Sequence, residues 1–463
     1  MEAQKFYEFI QRNQIGSILN KQIKCLDAKN SQTTEITDIS LSFNNQQILQ
    51  NEYEILRSGL IQFDNLTHFQ MTAKMDFKFN YQYLIINVSD ALKTLNNLTH
   101  LSLNIQALIN PEGAIKLGQA ISYLSNLLYL DLDIGQNVNI CDSGSIEIAK
   151  ALQCLKNLEH LALKANSFNK IGERGFNAFS QSIADLAKLI YLEFLVYSNN
   201  NFEKKGQSKV DISLKNLTQL KHFNFNMCSY PEQIQNKHFI QKAKTLGFLN
   251  QLTNLEIEIQ DLLKEDYFIY LSESLAKLEN ARSIKLKLRK LAYTDSQSAV
   301  KLGKGLSKLE QLNLLSISIH TIKIEEIQGL ALGIKQIQSL TNLALEFPRM
   351  IQNDNLEVNL WQGFSNLKAL TQVTFLLKIE SSIQLALELS QLNIRTYNIT
   401  VFDEIKAENY NPYGPKIKYF ELIFTLAKYK NLNHLILYID DFVFLKKTIM
   451  RKLKKLVYFK FAF

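Results

Sequence analysis

The sequence predicts an α/β solenoid of about 15 strand–helix units, in which parallel strands line one layer and helices the other. Three observations carry that expectation. A short alternating apolar phrase recurs along the chain. Its spacing is nearly constant from copy to copy. The stretches between copies have the period of an amphipathic helix.

The phrase is plainest in four places. Residues 95–105 read LNNLTHLSLNI, 124–134 LSNLLYLDLDI, 155–165 LKNLEHLALKA and 429–439 YKNLNHLILYI. Each holds L-x-x-L-x-L from its fourth residue, the alternation of a half-buried strand. The second apolar position of successive copies falls at Ile39, Phe69, Leu101, Leu130, Leu161, Leu192, Phe223, Leu255, Ile284, Leu315, Leu343, Val373, Tyr397, Leu435 and Phe459. The copies recur on average every ~30 residues, a period that marks stacked repeats. The scatter is widest after Val373.

Helical segments fill the gaps. Residues 113–124, 145–155, 296–309 and 325–337 each carry one apolar stripe at spacings of three and four. Asp142 and Ser143, and Thr294 and Asp295, are candidate N-caps for two of them. One unit cannot bury its apolar positions alone. Stacked units place the leucines in a continuous core between strands and helices.

Residues 1–32 lack the strand phrase. Phe6, Phe9, Ile10, Ile15, Ile18 and Leu19 suit a helical cap over the first repeat, with the solenoid covering 33–463. An F-box is the sharper alternative for this segment, but no proline precedes Pro111.

This pattern resembles leucine-rich repeats, above all the long, helix-bearing kind seen in ribonuclease inhibitor. The resemblance spans about residues 33–463 and implies a horseshoe with its sheet on the concave face and its helices on the convex face. Such repeats carry Asn or Cys five places after the second motif leucine. Here Asn44, Asn166 and Cys228 keep that choice, whereas Lys74, Gln106 and Arg289 depart from it. The polar ladder that stitches that turn is therefore expected to be sparse.

Composition bounds the function. The chain is 46% hydrophobic and 21% charged, as expected of a folded globular protein. Its start, MEAQKFYEFIQRNQ, has no secretory-signal pattern, and no run of 18 apolar residues suggests a membrane span. Cys25, Cys141, Cys154 and Cys228 have no zinc or disulfide spacing. These features lead us to expect a reducing, cytoplasmic setting. Asn65, Asn97, Asn216 and Asn398 open sequons, and three of them belong to the recurring Asn-Leu-Thr phrase, which accounts for their number without glycosylation.

Residues between the leucines point away from the core, onto the expected concave face. One column holds His68, His100, Tyr129, His160, Tyr191, His222, Asn254, Asn342 and His434. It includes five of the seven histidines, so His is enriched here. The column reads as a binding stripe, as a consensus residue that the strand tolerates, or as a metal site, although Tyr129 and Tyr191 interrupt any tetrahedral set. Beside it, Asp131 and Asp133, with Glu159, form an acidic patch. Arg282, Lys285 and Lys287 form a basic one, preceded by Glu256 and Glu258. Alternating patches suit a protein partner better than a nucleic acid, which favours one continuous basic track.

The last strand carries Tyr458, Phe459, Phe461 and Phe463 and is expected to offer an edge for a partner or for a second copy. Seven basic residues and no acid lie between Phe442 and Phe463. They suit an acidic protein, an anionic surface or a solvated helix face. A loop around Glu408–Lys416, with Pro412, Gly414 and Pro415, is expected to protrude. No phosphate loop, hydrolase, zincin or kinase motif occurs, and no cofactor is expected. The expectation is a non-catalytic protein–protein scaffold, with an enzyme regulator as the alternative. The resemblance suggests a GTPase activator or a nuclease-inhibitor-like binder for the latter.

Overall fold

A computed structural model describes residues 5–6, 8–10, 36–44, 50–74, 82–106, 109–134, 140–165, 169–197, 214–228, 243–263, 265–290, 297–351, 360–402, 434–438 and 458–461. The chain forms two compact units, Met1–Thr245 and Leu246–Phe463. Each is an α/β repeat solenoid.

In the first unit, strands and helices alternate as β1 (Asp38–Asn44), α1 (Gln50–Leu60), β2 (His68–Lys74), α2 (Gln82–Leu92), β3 (His100–Gln106), α3 (Pro111–Ile121), β4 (Tyr129–Asp133), α4 (Cys141–Cys154), β5 (His160–Ala165), α5 (Glu173–Ala184), β6 (Tyr191–Tyr197) and β7 (His222–Cys228). A 3-10 turn at Leu214–Asn216 precedes β7. Each strand pairs in parallel with the next, and the paired residues are the expected motif positions: Ile39, Phe69, Leu101, Leu130, Leu161, Leu192 and Phe223 form one row.

The second unit continues with β8 (Asn254–Leu263), α6 (Glu265–Leu275), β9 (Ser283–Lys290), α7 (Gln297–Leu306), β10 (Leu314–Ile319), β11 (Thr321–Lys323), α8 (Ile324–Ile334), β12 (Asn342–Glu346), β13 (Arg349–Ile351), β14 (Gln372–Lys378), α9 (Ile379–Leu389), β15 (Thr396–Phe402), β16 (His434–Tyr438) and β17 (Tyr458–Phe461). Leu255, Ile284, Leu315, Leu343, Val373, Tyr397, Leu435 and Phe459 form its row, so the register holds through the irregular intervals near Tyr397. β11 and β13 make a separate two-stranded parallel ladder.

The core lies between strands and helices. Leu101, Leu130, Leu161 and Leu192 are fully buried, as are Leu92, Leu117 and Leu152 of the facing helices or nearly so. Burying a side chain of this size contributes about 1.5–3 kcal/mol. Near the N-terminus, Phe6, Phe9 and Ile10 are buried, and Phe6 meets Phe63 edge-on at 5.7 Å. Gly59 makes room for that Phe6 ring. Most of the expected cap, residues 1–32, lies outside the described residues.

Helices approach closely where glycine replaces a side chain. A Cβ on Gly118 of α3 would stand 2.7 Å from the backbone carbon of Glu147 in α4. One on Gly303 of α7 would stand 2.8 Å from the Gly329 carbonyl in α8. Both units therefore use the same device.

The repeats are stitched at a different turn from the one the resemblance points to. A polar ladder runs through the turns that lead into several of the strands. The Asn97 amide donates to the Asp64 carbonyl at 2.8 Å, Asn126 to Asn96 at 2.9 Å, and Asn157 to Ser125 at 3.4 Å. Asn280 repeats this in the second unit, donating to Asn250 at 2.8 Å. Asn97 opens a sequon, so the turn itself uses that asparagine. Asn216 donates likewise to the Ala184 carbonyl at 3.3 Å.

The caps also need correction. α4 begins at Cys141, so Asp142 lies in its first turn. Its Oδ1 instead accepts from the backbone amides of Gly172 and Gly175, both at 2.8 Å, and so caps α5 in the next repeat. The cap for α3 is Asn110, ahead of Pro111, a start signal legible in the sequence. Thr294 and Asp295 lie outside the described residues.

Candidate functional site

The open face of the first unit's sheet carries one continuous stack of rings. In-register parallel pairing places His68, His100, Tyr129, His160, Tyr191 and His222 side by side. Ring centroids of His68 and His100 are 4.0 Å apart with planes 18° apart. Tyr129 and His160 repeat this at 4.0 Å and 14°, and His160 and Tyr191 at 4.0 Å and 8°. The His100–Tyr129 step is 5.6 Å, and the tilted Tyr191–His222 step is 5.8 Å. Strands lie about 4.8 Å apart, so identical side-chain directions bring rings into stacking range without strain. Stacking of this kind contributes about 0.5–1.5 kcal/mol per pair beyond buried area. Along the stack, ring faces cover one another. Solvent therefore meets ring edges.

Those edges have a defined polarity. Thr67 Oγ1 donates its single proton to the Thr37 carbonyl at 3.1 Å and lies 2.9 Å from His68 Nδ1. Thr99 Oγ1 does the same with the Thr67 carbonyl at 3.2 Å and with His100 Nδ1 at 2.9 Å. Asp38 Oδ1, 3.2 Å from His68 Nδ1, can only accept, which places a proton on Nδ1 of that ring and leaves Nε2 of its neutral form as an acceptor.

Burial disfavours the charged form of the inner imidazoles. Burial lowers the pKa of His100, as does the neighbouring His68, although Asp38 opposes this. His160 is lowered to about 4 by burial, by Lys164 and by His222 and His100. Burial and Lys221 lower His222. Tyr129 and Tyr191 are raised, chiefly by burial, and Tyr191 also by its hydrogen bond to Glu193.

The next columns supply charge. Asp131 and Glu193 occupy equivalent places two strands apart, and Lys164 lies between them, 4.0 Å from Asp131 and 3.6 Å from Glu193. Tyr191 donates to Glu193 at 2.9 Å. Burial raises the pKa of Asp131, Lys164 lowers it, and Glu193 and Asp133 push it further up. Sequence reading placed Asp131 and Asp133 here but missed Asp38, Lys164 and Glu193. Their phase in the repeat was the available signal.

The second unit places its charges otherwise. Lys285 reaches Glu256 at 3.2 Å, and Lys287 reaches Glu258 at 2.9 Å, each across the β8–β9 pairing. The expected basic patch is thus charge-balanced at those two lysines, with Arg282 exposed beside it. The ring column gives way to Asn254, Ser283, Leu314, Asn342, Gln372 and Thr396. His434 holds the same register place in β16.

Tyr458, Phe459 and Phe461 lie in β17, paired with β16, but their side chains are outside what is described. Phe463, the Glu408–Lys416 loop and the basic run from Lys446 to Lys455 are outside the described residues. Among the described residues, no group of three or more His, Cys, Asp or Glu could hold a metal ion, and no helix is long and apolar enough to cross a membrane.

Comparison with family models finds no match, and comparison with curated proteins finds none either. Among solved structures, the chain is similar to the crystal structure of the Rad7 and Elc1 complex in yeast. The TM-score is 0.39 and the identity 16%, over 85% of this chain and 84% of that chain. The reading below rests on the chain's own geometry.

Proposed function

We propose that the chain is a non-catalytic protein-interaction scaffold, a subunit of a larger intracellular assembly in the cytoplasm, and that it binds its partner on the open sheet face of the first unit. The observation that carries this reading is the six-ring stack from His68 to His222. Aromatic side chains that are half-buried yet face solvent are the usual anchors of protein interfaces. A repeat sheet presents them on a stiff platform, which limits the ordering cost of binding. The site offers acceptors and carboxylates without an activated nucleophile, which supports a binding role over a catalytic one.

The test is cross-linking mass spectrometry on the tagged chain purified from its source cells. The reading expects stoichiometric proteins whose cross-links fall on β2–β7. Cross-links confined to the helical side, or recovery of RNA or lipid alone, would contradict it.

A second reading has one observation in its favour. The repeats carry α-helices of 10 to 14 residues, which supports kinship with the ribonuclease-inhibitor-like kind of leucine-rich repeat. On that reading the partner is an enzyme, either a small GTPase or a nuclease, and the scaffold is its regulator. Faster GTP hydrolysis or suppressed nuclease activity of the captured partner, on adding the purified chain, would select this reading.

A further inference from the structure

We infer that the ring stack of the first unit receives an extended, arginine-bearing segment of a protein partner. This rests on the proposed binding role and names the chemistry of what binds.

The first argument is the polarity of the exposed edges. With ring faces mutually covered, the stack offers the Nε2 acceptor of His68 and the Tyr191 hydroxyl oxygen, whose own proton goes to Glu193. A ligand that meets these atoms must donate hydrogen bonds. The second argument is charge. Within β1–β7, the described side chains of the open face include the carboxylates of Asp38, Asp131, Asp133 and Glu193 and the ammonium of Lys164, and Lys221 stands beside His222 at the end of the stack. Lys164 stands 3.6 and 4.0 Å from its two carboxylates. Charge-assisted bonds close to about 2.7–2.9 Å, so Glu193 and Asp131 keep acceptor capacity for a better donor. Burial raises the pKa of Asp131, and an added cation beside it relieves that cost.

Arginine fits these features better than lysine. Its planar fork can bond a carboxylate in two places while its other N–H groups reach ring-edge nitrogens. Phosphate-bearing ligands fit poorly beside Asp131 and Glu193, because these carboxylates repel anions. The dimensions also agree. Six strands at about 4.8 Å span roughly 24 Å, which an extended peptide covers with about seven or eight residues.

The second unit is the internal control. Its carboxylates Glu256 and Glu258 are already closed by Lys285 and Lys287, so its face offers no comparable net attraction.

The experiment uses the full chain and three labelled peptides of about eight residues, in which serine alternates with arginine, citrulline or glutamate. Fluorescence anisotropy is read at about 50 and about 300 mM salt. We expect the arginine peptide to bind about tenfold or more tightly than the citrulline peptide, with affinity falling at the higher salt. The double variant Asp131→Asn, Glu193→Gln should lose about tenfold, and the single Asp133→Asn less, with circular dichroism confirming that both fold. The variant Glu256→Gln, Glu258→Gln should stay within about twofold of the parent. Equal binding of all three peptides, no binding of the arginine peptide, or indifference to Asp131→Asn, Glu193→Gln overturns the inference. A captured partner that needs the ring stack but is not displaced by the arginine peptide overturns this inference alone. A captured partner indifferent to the stack overturns the binding site as well.

Discussion

The two units share a backbone plan and differ on their open faces. In both, the same motif row is buried, strands pair in parallel and in register, and glycine lets neighbouring helices close up. In the first, the column before that row is a stack of imidazole and phenol rings with a surplus of carboxylates beside it. In the second, the same column is polar or aliphatic from Asn254 to Thr396, before His434 and Tyr458, and Lys285 and Lys287 pair with Glu256 and Glu258 across β8 and β9. The repeat thus separates two tasks. Inward positions hold the fold, and outward positions are free to vary, so the rings gathered outward on β2–β7 fit the proposed binding role.

The largest effects test the shared part. Leu161→Ala and Leu315→Ala remove fully buried side chains at equivalent positions, one in each unit. Each should cost about 2–5 kcal/mol, read from urea unfolding monitored by circular dichroism. A large cost in one unit and none in the other would break the claim of a common core. Next come Gly118→Ala and Gly303→Ala, where the new methyl meets the backbone of the adjacent helix. Each should cost about 1–3 kcal/mol by the same measurement, although alanine is the better helix former.

Acid should weigh most on the first unit, with three lowered histidines there against His320 in the second, which burial, Arg289 and Arg349 lower. Folding holds His160 at about 4 against an ordinary 6.5, and it also lowers His100 and His222. Between those values the unfolded chain binds more protons. This contribution to stability is therefore fully present above pH 6.5 and lost as pH falls towards 4. Urea midpoints measured between those limits should decline, and the triple variant His100→Gln, His160→Gln, His222→Gln should flatten the slope. An NMR titration of His160 with an ordinary midpoint would contradict the burial of that ring. The smallest effect belongs to the second unit's face. Lys285→Ala removes an exposed ion pair and should cost about 0–1 kcal/mol, less at high salt.

Much of this was legible in the sequence. The motif row was readable to the last strand because a parallel register repeats whatever period the leucines keep. Even the short step from Val373 to Tyr397 and the long one from Tyr397 to Leu435 aligned correctly. The ring column followed from the same phase. Three features were hidden for identifiable reasons. Asp142 caps the next repeat, beside a Cys141 whose φ is +57°, and periodicity encodes neither feature. Asp38, Lys164 and Glu193 became visible only when equivalent positions were laid side by side. The division at Thr245 leaves no mark, since the step from Phe223 to Leu255 is as long as the one from Phe69 to Leu101.

The central claim is that the first unit's ring stack holds the partner. Its most direct test compares three tagged chains recovered from the same cells: the parent, His100→Ser with Tyr129→Ser and Tyr191→Ser, and Glu256→Ser with Lys285→Ser. All three are checked for folding by circular dichroism. Quantitative mass spectrometry should show the parent's stoichiometric partner lost from the ring variant and retained by the second-unit variant. Retention of that partner by a folded ring variant would contradict the account.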